Sequence, residues 1–208
     1  LAVRSVLALY VESRTAAGTL IIAADGGARH AQTLGLTPQL VVGDFDSLTE
    51  AELAELQRVG AELRRSPTHK DETDLELALL AAAEADCDPI CVIGGIGNRL
   101  DQMLANVYLL ALPALHERAV WLVAGRQTAW LAYPGEIQVH GLPGDTLSLL
   151  PLNEAVGGIV TDGLEYPLRN ETLTFGPARG ISNVLVRDSA SIRFECGVLL
   201  LIHTIGHA

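Results

Sequence analysis

The stretch LVVGDFDSLTEAELAELQRV, residues 40–59, reads as a complete strand–turn–helix unit. Residues 40–42 are apolar, Gly43 ends the run, and Asp44 and Asp46 follow with one residue between them. Thr49-Glu-Ala-Glu52 then has the form of a capping box, whose two ends each satisfy a backbone N–H of the other. A helix is predicted from there to about Val59. Acids placed where a core strand has just ended are costly to desolvate unless a cation balances them. The stretch alone does not say which cation.

The same alternation repeats on either side. Residues 20–24 are strand-like, and GGARHAQTLG (26–35) predicts a short helix ending at Gly35. A weak strand over 61–64 precedes a helix over 72–85, with Leu75, Leu79, Ala82 and Ala83 on one face. A buried strand over 90–93, a helix over 100–112 stopped by Pro113, and a strand over 119–123 complete the series. This alternation indicates an α/β domain with a mainly parallel sheet flanked by helices. After about Gly125 the character changes to short runs punctuated by Gly and Pro: EIQVHG, DTLSLLPL, GGIVTDG, ETLTFG, ISNVLVRD, SIRFECG and VLLLIHT. These predict an all-β sandwich or barrel. The boundary is expected within 125–134, giving an α/β domain over 1–125 and a β-rich domain over 126–208.

Composition narrows the function. The 208 residues are 49% apolar and 19% charged, and runs such as 198–202 are strand-length, well short of the roughly 20 residues that cross a bilayer. No signal-peptide pattern is seen. An odd count of three cysteines (Cys87, Cys91, Cys196) without a CxxC pair predicts reduced thiols in a cytoplasmic protein. A net charge of −11 argues against nucleic acid as a partner. It suits a cationic substrate or one that arrives with a metal ion, although acidic surfaces also serve solubility.

Four polar clusters fall at or beyond predicted strand ends, where ligands collect on open parallel sheets. They are Asp25-Gly26-Gly27, Gly43-Asp44-Phe45-Asp46-Ser47, Lys70-Asp71-Glu72-Thr73-Asp74, and the run from Gly94 and Gly95 through Arg99 to Asp101. Each has an ordinary explanation alone: tight turns for the glycines, macrodipole complements for acids in a first helical turn. Together they are more pointed. Asp44, Asp46, Asp71 and Asp74 are hard oxygen donors of the kind Mg²⁺ takes alongside substrate phosphates. Glycines let backbone N–H groups approach an anion. Arg99 can grip a phosphate with two hydrogen bonds, and Lys70, the single lysine among 14 basic residues, adds a point charge. The set suggests phosphoryl-type transfer. GxxxxGK[ST], GxGxxG and GxSxG are all absent. The histidines lack zinc-ligand spacing except His203 and His207, four apart in the C-terminal tail, where a solvated role is expected.

ADGGA (24–28), GDFDS (43–47), KDETDLELAL (70–79) and GGIGNRLDQMLAN (94–106) resemble, in order and spacing, the motifs of the thiamine pyrophosphokinase family. GDTLSLLPL (144–152), TDGLEYPL (161–168) and TLTFGPARGISN (172–183) are similar to that family's second domain. The resemblance implies transfer of the pyrophosphoryl group of ATP to the hydroxyl of thiamine, giving thiamine diphosphate and AMP. It implies Mg²⁺ held by Asp44, Asp46 and Asp74 with Asp71 in support. Asp25, Gly26, Lys70, Thr73, Gly94, Gly95 and Arg99 would line the nucleotide and phosphate site. Asp101 would help orient the thiamine hydroxyl, with Gln102, Tyr166, Ser182 and Asn183 against thiamine. Gln102 stands where bacterial members often carry His, and residues 1–18 lack the family's Asn-Gly-like turn. The resemblance further implies a homodimer with thiamine between the catalytic domain of one chain and the β domain of the other.

The chemistry agrees with that picture, since thiamine is cationic and an aromatic face such as Tyr166 attracts a flat cation. Tyr166 reads equally as a core tyrosine, and Ser182 and Asn183 as turn residues. Two other functions stay open on the residues: a pyrophosphokinase for another hydroxymethyl heterocycle such as a pterin, and a non-catalytic thiamine- or nucleotide-binding module.

Overall fold

The computed structural model describes residues 18–206. The chain forms two compact units, one up to Val120 and one from Trp121 on. The opening stretch expected to lack the Asn-Gly-like turn lies almost wholly outside the described residues, as does His207.

In the first unit, β1 (Ile22–Ala24), β2 (Leu40–Gly43) and β3 (Glu62–Arg65) form a parallel sheet in sequence order. Helices α1 (Gly27–Thr33), α2 (Glu50–Arg58) and α3 (Asp74–Glu84) alternate with these strands and follow them. Every residue of β2 is buried, because its two faces meet different partners. Val41 packs with Ala28, Leu53 and Leu56 from α1 and α2. Leu40 and Val42 pack with Leu77 and Ala81 of α3. A strand covered on both faces must read as an unbroken apolar run, which is why 40–42 shows no alternation. Thr49 closes the capping box as predicted: its side chain accepts the Glu52 N–H while the Glu52 carboxylate accepts the Thr49 N–H.

β4 (Ile90–Ile93) leads to α4 (Leu100–Tyr108), which ends four residues earlier than predicted. Leu109–Ala111 tightens into a 3₁₀ turn that takes Leu109 and Leu110 into the interior. Apolar periodicity does not separate a last α turn from a 3₁₀ one.

β5 (Val120–Ala124) pairs antiparallel with β6 (Gln127–Ala132), Leu122 opposite Ala129. Residues 125–134, predicted as a boundary, therefore hold a two-residue hairpin turn at Gly125-Arg126 and a strand. Gly125 takes φ +60°, the left-handed conformation that such turns demand.

The second unit is a sandwich of antiparallel sheets. One has the order β10 (Arg169–Thr174), β9 (Ala155–Asp162), β12 (Ser189–Phe194), β7 (Gly135–His140). The other includes β11 (Asn183–Val184), β8 (Thr146–Pro151), β13 (Leu199–Thr204), β6 and β5, in that order. Alternate residues of each sheet face inward: Ala190, Ile192 and Phe194 of β12 meet Leu147 and Leu149 of β8 in one core.

His203 is not a tail residue. It lies on β13, and its Nε2 sits 2.9 Å from Oδ2 of the buried Asp145. Asp145 also accepts the backbone N–H groups of Gly206 and Leu142, so one carboxylate ties a loop to the chain's last strand. Burial pushes the Asp145 carboxyl up, but those three donors outweigh it and hold the group below its ordinary value.

Candidate active site

Parallel pairing of β1 with β2 puts their C-terminal ends side by side, and both ends lead straight into acid. Asp25 follows β1 and Asp44 follows β2. Asp25 takes φ +41°, and its N–H bonds the Val42 carbonyl at 2.8 Å, which turns its side chain toward the second loop. In that loop Phe45 takes φ +67° and buries its ring with Val41, Leu53 and Leu56. With Phe45 drawn into the core, the flanking Asp44 and Asp46 are left at the surface, and the Asp46 N–H bonds Asp44 Oδ1 at 3.2 Å. Arg65 secures the same turn by donating to the Asp44 carbonyl and lying over the Phe45 ring.

Oxygens of Asp25, Asp44 and Asp46 lie within 4.8 Å of one another. At that distance two full charges repel by roughly 3.5 kcal/mol at an effective dielectric of about 20. Asp25 Oδ1 is moreover buried with no hydrogen-bond partner. Crowded carboxylates and an orphaned buried oxygen are what a divalent cation would satisfy, so the donor set fits Mg²⁺.

Asp74, expected as a ligand, stands next to this trio. A side chain at Gly43 would meet both Asp25 Cβ at 3.0 Å and Asp74 Cγ at 3.3 Å. Its Oδ1 receives Lys70 Nζ at 2.6 Å, and Lys70 also donates to Ser66 Oγ at 2.6 Å. Lys70 is only 12% exposed, so its charge is held in place beside the acids. Asp71 is exposed, and Thr73 caps α3 by accepting the Glu76 N–H. Gly26 approaches Ser47 closely, a Cβ there falling 2.9 Å from its hydroxyl.

Gly94 and Gly95 form a turn after β4, with φ +80° at Gly94 and His30 Nδ1 3.1 Å from where a Cβ would sit. The turn does not open α4, whose N-cap is Arg99. Arg99 instead clasps Asp101 through Nε and Nη2, at 3.2 and 2.5 Å, with both side chains exposed. The Arg99 guanidinium holds the Asp101 carboxyl below its usual range. Gln102 is exposed one residue on.

In the second unit Tyr166, Ser182 and Asn183 come together. Tyr166 is 64% exposed, whereas Asn183 is buried. The Asn183 amide donates to the Tyr166 carbonyl at 2.7 Å and accepts the Tyr166 N–H at 3.0 Å. Asn183 thus presents Tyr166, and Ser182, at φ +55°, is exposed beside it.

Sequence reasoning assigned Asp25 to the nucleotide and missed its place in the carboxylate trio. It also missed Ser66, Arg65 and His30. The signal for Asp25 was present in the equal spacing of two acids from two adjacent strand ends, but it becomes readable only once β1 and β2 are known to pair.

Two family models match the chain: thiamin pyrophosphokinase, catalytic domain, over residues 11–122, and thiamin pyrophosphokinase, vitamin B1 binding domain, over residues 136–199. The chain is 31% identical over 187 residues to thiamine pyrophosphokinase of Bacillus subtilis (strain 168), spanning 89% of this chain and 87% of that one. The crystal structure of thiamine pyrophosphokinase from Bacillus subtilis is similar with a TM-score of 0.86 at 29% identity, over 94% of this chain and 92% of that chain. Thiamin pyrophosphokinase from Candida albicans shares the fold, with a TM-score of 0.77 at 18% identity, over 89% and 81% of the two chains.

Proposed function

Since the chain belongs to the thiamine pyrophosphokinase family, we infer that it transfers the pyrophosphoryl group of ATP to the hydroxyl of thiamine. The thiamine hydroxyl oxygen forms a bond to the β-phosphorus, the bond from that phosphorus to the α,β-bridging oxygen breaks, and AMP leaves with the bridging oxygen. The observation that carries the reading is the convergence of Asp25, Asp44 and Asp46, with Asp25 Oδ1 buried and unpartnered.

Asp25, Asp44 and Asp46 would hold Mg²⁺, with Asp74 adjacent, and the ion would supply neutralisation of polyphosphate charge. Lys70 contributes a fixed positive charge on the phosphate side. Arg99 exchanges Asp101 for a phosphate, which its planar fork suits. Asp101, released from Arg99, accepts the hydrogen bond and then the proton of the thiamine hydroxyl. Gly94 and Gly95 keep the backbone open to the nucleotide, and the acidic chain favours cationic thiamine.

The protein acts as a homodimer, with thiamine between Asp101 and Gln102 on the catalytic unit of one chain and the surface formed by Tyr166, Ser182 and Asn183 on the second unit of the other. Exposed Leu100, Leu104 and Tyr108 on α4, none of whose described residues is buried, supply apolar surface for such an interface. Cys87, Cys91 and Cys196 form no disulfide among the described residues, which favours the cytoplasm. Among the described residues no helix is long and apolar enough to cross a membrane.

ATP, Mg²⁺ and thiamine should together yield AMP and thiamine diphosphate, followed by chromatography. Asp46→Asn should lower turnover by about 10³-fold, as expected for loss of a group that stabilises transferring phosphate. AMP release with 6-hydroxymethylpterin but not with thiamine would move the assignment to a pterin enzyme. Thiamine binding without any AMP would leave a binding module.

A further inference from the structure

The three carboxylates converge from two separate loops, and their mutual repulsion opposes that convergence. One side chain ties the loops together. Arg29 lies on α1, one turn beyond Asp25 and Gly26. Its Nε and Nη2 grip Glu52 at 2.5 and 2.7 Å, and Nη2 also donates to the Ser47 carbonyl at 2.7 Å. Ser47 is the residue directly after Asp46. Glu52 in turn accepts the Thr49 N–H and hydroxyl at 2.8 and 2.7 Å, closing the far end of the same loop.

Both loops of the acid trio are thus bound to one guanidinium–carboxylate pair whose hydrogen bonds go to none of the three acids, although the Arg29 charge also acts on Asp25 through space. An exposed ion pair contributes little to global stability. Arg29 is about half exposed, yet it makes a bidentate grip plus a backbone bond. The Arg29 hydrogen bond holds the Glu52 carboxyl far below its usual range, so the pair stays charged under working conditions.

We propose that Arg29 and Glu52 are positioning residues that set the spacing of Asp25 against Asp44 and Asp46, and so the affinity of the site for a divalent cation. This rests on the reading of the trio as a metal site. Loosening the brace lets the acids separate, which lowers the charge density that attracts the cation without removing a ligand.

The test is titration with Mn²⁺ alone, read from the EPR signal of the free ion, on wild type, Asp46→Asn, Arg29→Gln, Arg29→Lys and Glu52→Gln, with metal-free melting curves alongside. Arg29→Gln and Glu52→Gln should each weaken Mn²⁺ binding about tenfold, with metal-free melting temperatures within a few degrees of wild type. Gln at position 52 keeps a capping-box partner, so it separates the brace from the cap. Arg29→Lys, a point charge without the fork, should recover only part of the affinity. Wild-type Mn²⁺ affinity in both Arg29→Gln and Glu52→Gln would overturn the proposal, and lowered melting temperatures with unchanged affinity would reduce the pair to a structural contact. If Asp46→Asn bound Mn²⁺ as well as wild type, the metal-site reading itself would fall, and the brace with it.

Discussion

Gly43 sits where the acids crowd most. It adopts φ +153°, and a Cβ there would press on Asp25 at 3.0 Å and on Asp74 at 3.3 Å. Gly43→Ala must therefore push two carboxylates aside as well as strain the backbone, at a cost of about 1–3 kcal/mol. We expect it to reduce kcat/KM for AMP formation by at least about 100-fold through misplacement alone, as small displacements of positioned groups do. Activity near wild type, with the same urea midpoint, would show that the spacing is not critical. The second residue-scale expectation concerns charge. A divalent cation between three carboxylates would relieve more repulsion than one between two, so Mg²⁺ should raise the melting temperature of wild type more than that of Asp46→Asn. Equal shifts in the two proteins would place the ion elsewhere. Asp44 and Asp46 were legible as candidates for a cation site because two acids follow a strand end. Asp25 was not, because its membership depends on φ +41° and on a bond to Val42, neither of which is written in its neighbours.

Elements were legible wherever a local signal sets them. The capping box of α2 lies within four consecutive residues and closed as read. Helix α4 was overextended because Leu109 and Leu110 are drawn inward by packing, and the chain tightens to follow them. β6 was not legible for a different reason: the change of composition at the domain boundary coincides with the two-residue hairpin turn at Gly125-Arg126 and masks it. The Asp145–His203 pair also belongs to this scale, since it fastens β13 to the loop before β8. Asp145 titrates below its ordinary value in the fold, so its ionised form stabilises the native state above the unfolded pKa of about 3.9. That stabilisation disappears as pH falls through the depressed folded value. Asp145→Asn should accordingly cost about 1–3 kcal/mol at pH 7, and the difference from wild type should shrink below pH about 4 in urea titrations. A difference independent of pH would trace the effect to packing.

At the scale of the whole molecule, an unusual amount of apolar surface remains exposed on a short helix. Leu100, Leu104 and Tyr108 follow one another at intervals of four residues, so they form a single stripe along α4. In the second unit Tyr166, Phe175, Ile181 and Val186 are exposed as well. Scattered exposed apolar residues are ordinary, but a stripe at helical spacing points to an interface. Wild type should sediment as a dimer, and Leu104→Glu should shift it to a monomer at micromolar concentration while leaving the far-ultraviolet circular dichroism unchanged. A dimer that persists in Leu104→Glu would locate the interface on another surface.

By itself the sequence determined the alternation of strands and helices, the change to β structure in the second half, and the residue types of a phosphoryl-transfer site. Each of those is carried by neighbours within a few positions, where periodicity, capping and turn chemistry act. Only the tertiary structure decided that β1 and β2 lie side by side, and therefore that Asp25 joins Asp44 and Asp46. It also decided that Asn183 holds the backbone of Tyr166, and that His203 meets Asp145. These contacts span 17 residues between Tyr166 and Asn183 and 58 between Asp145 and His203. Over such separations no local preference acts, and the partner is chosen by which strands pair and which faces are buried.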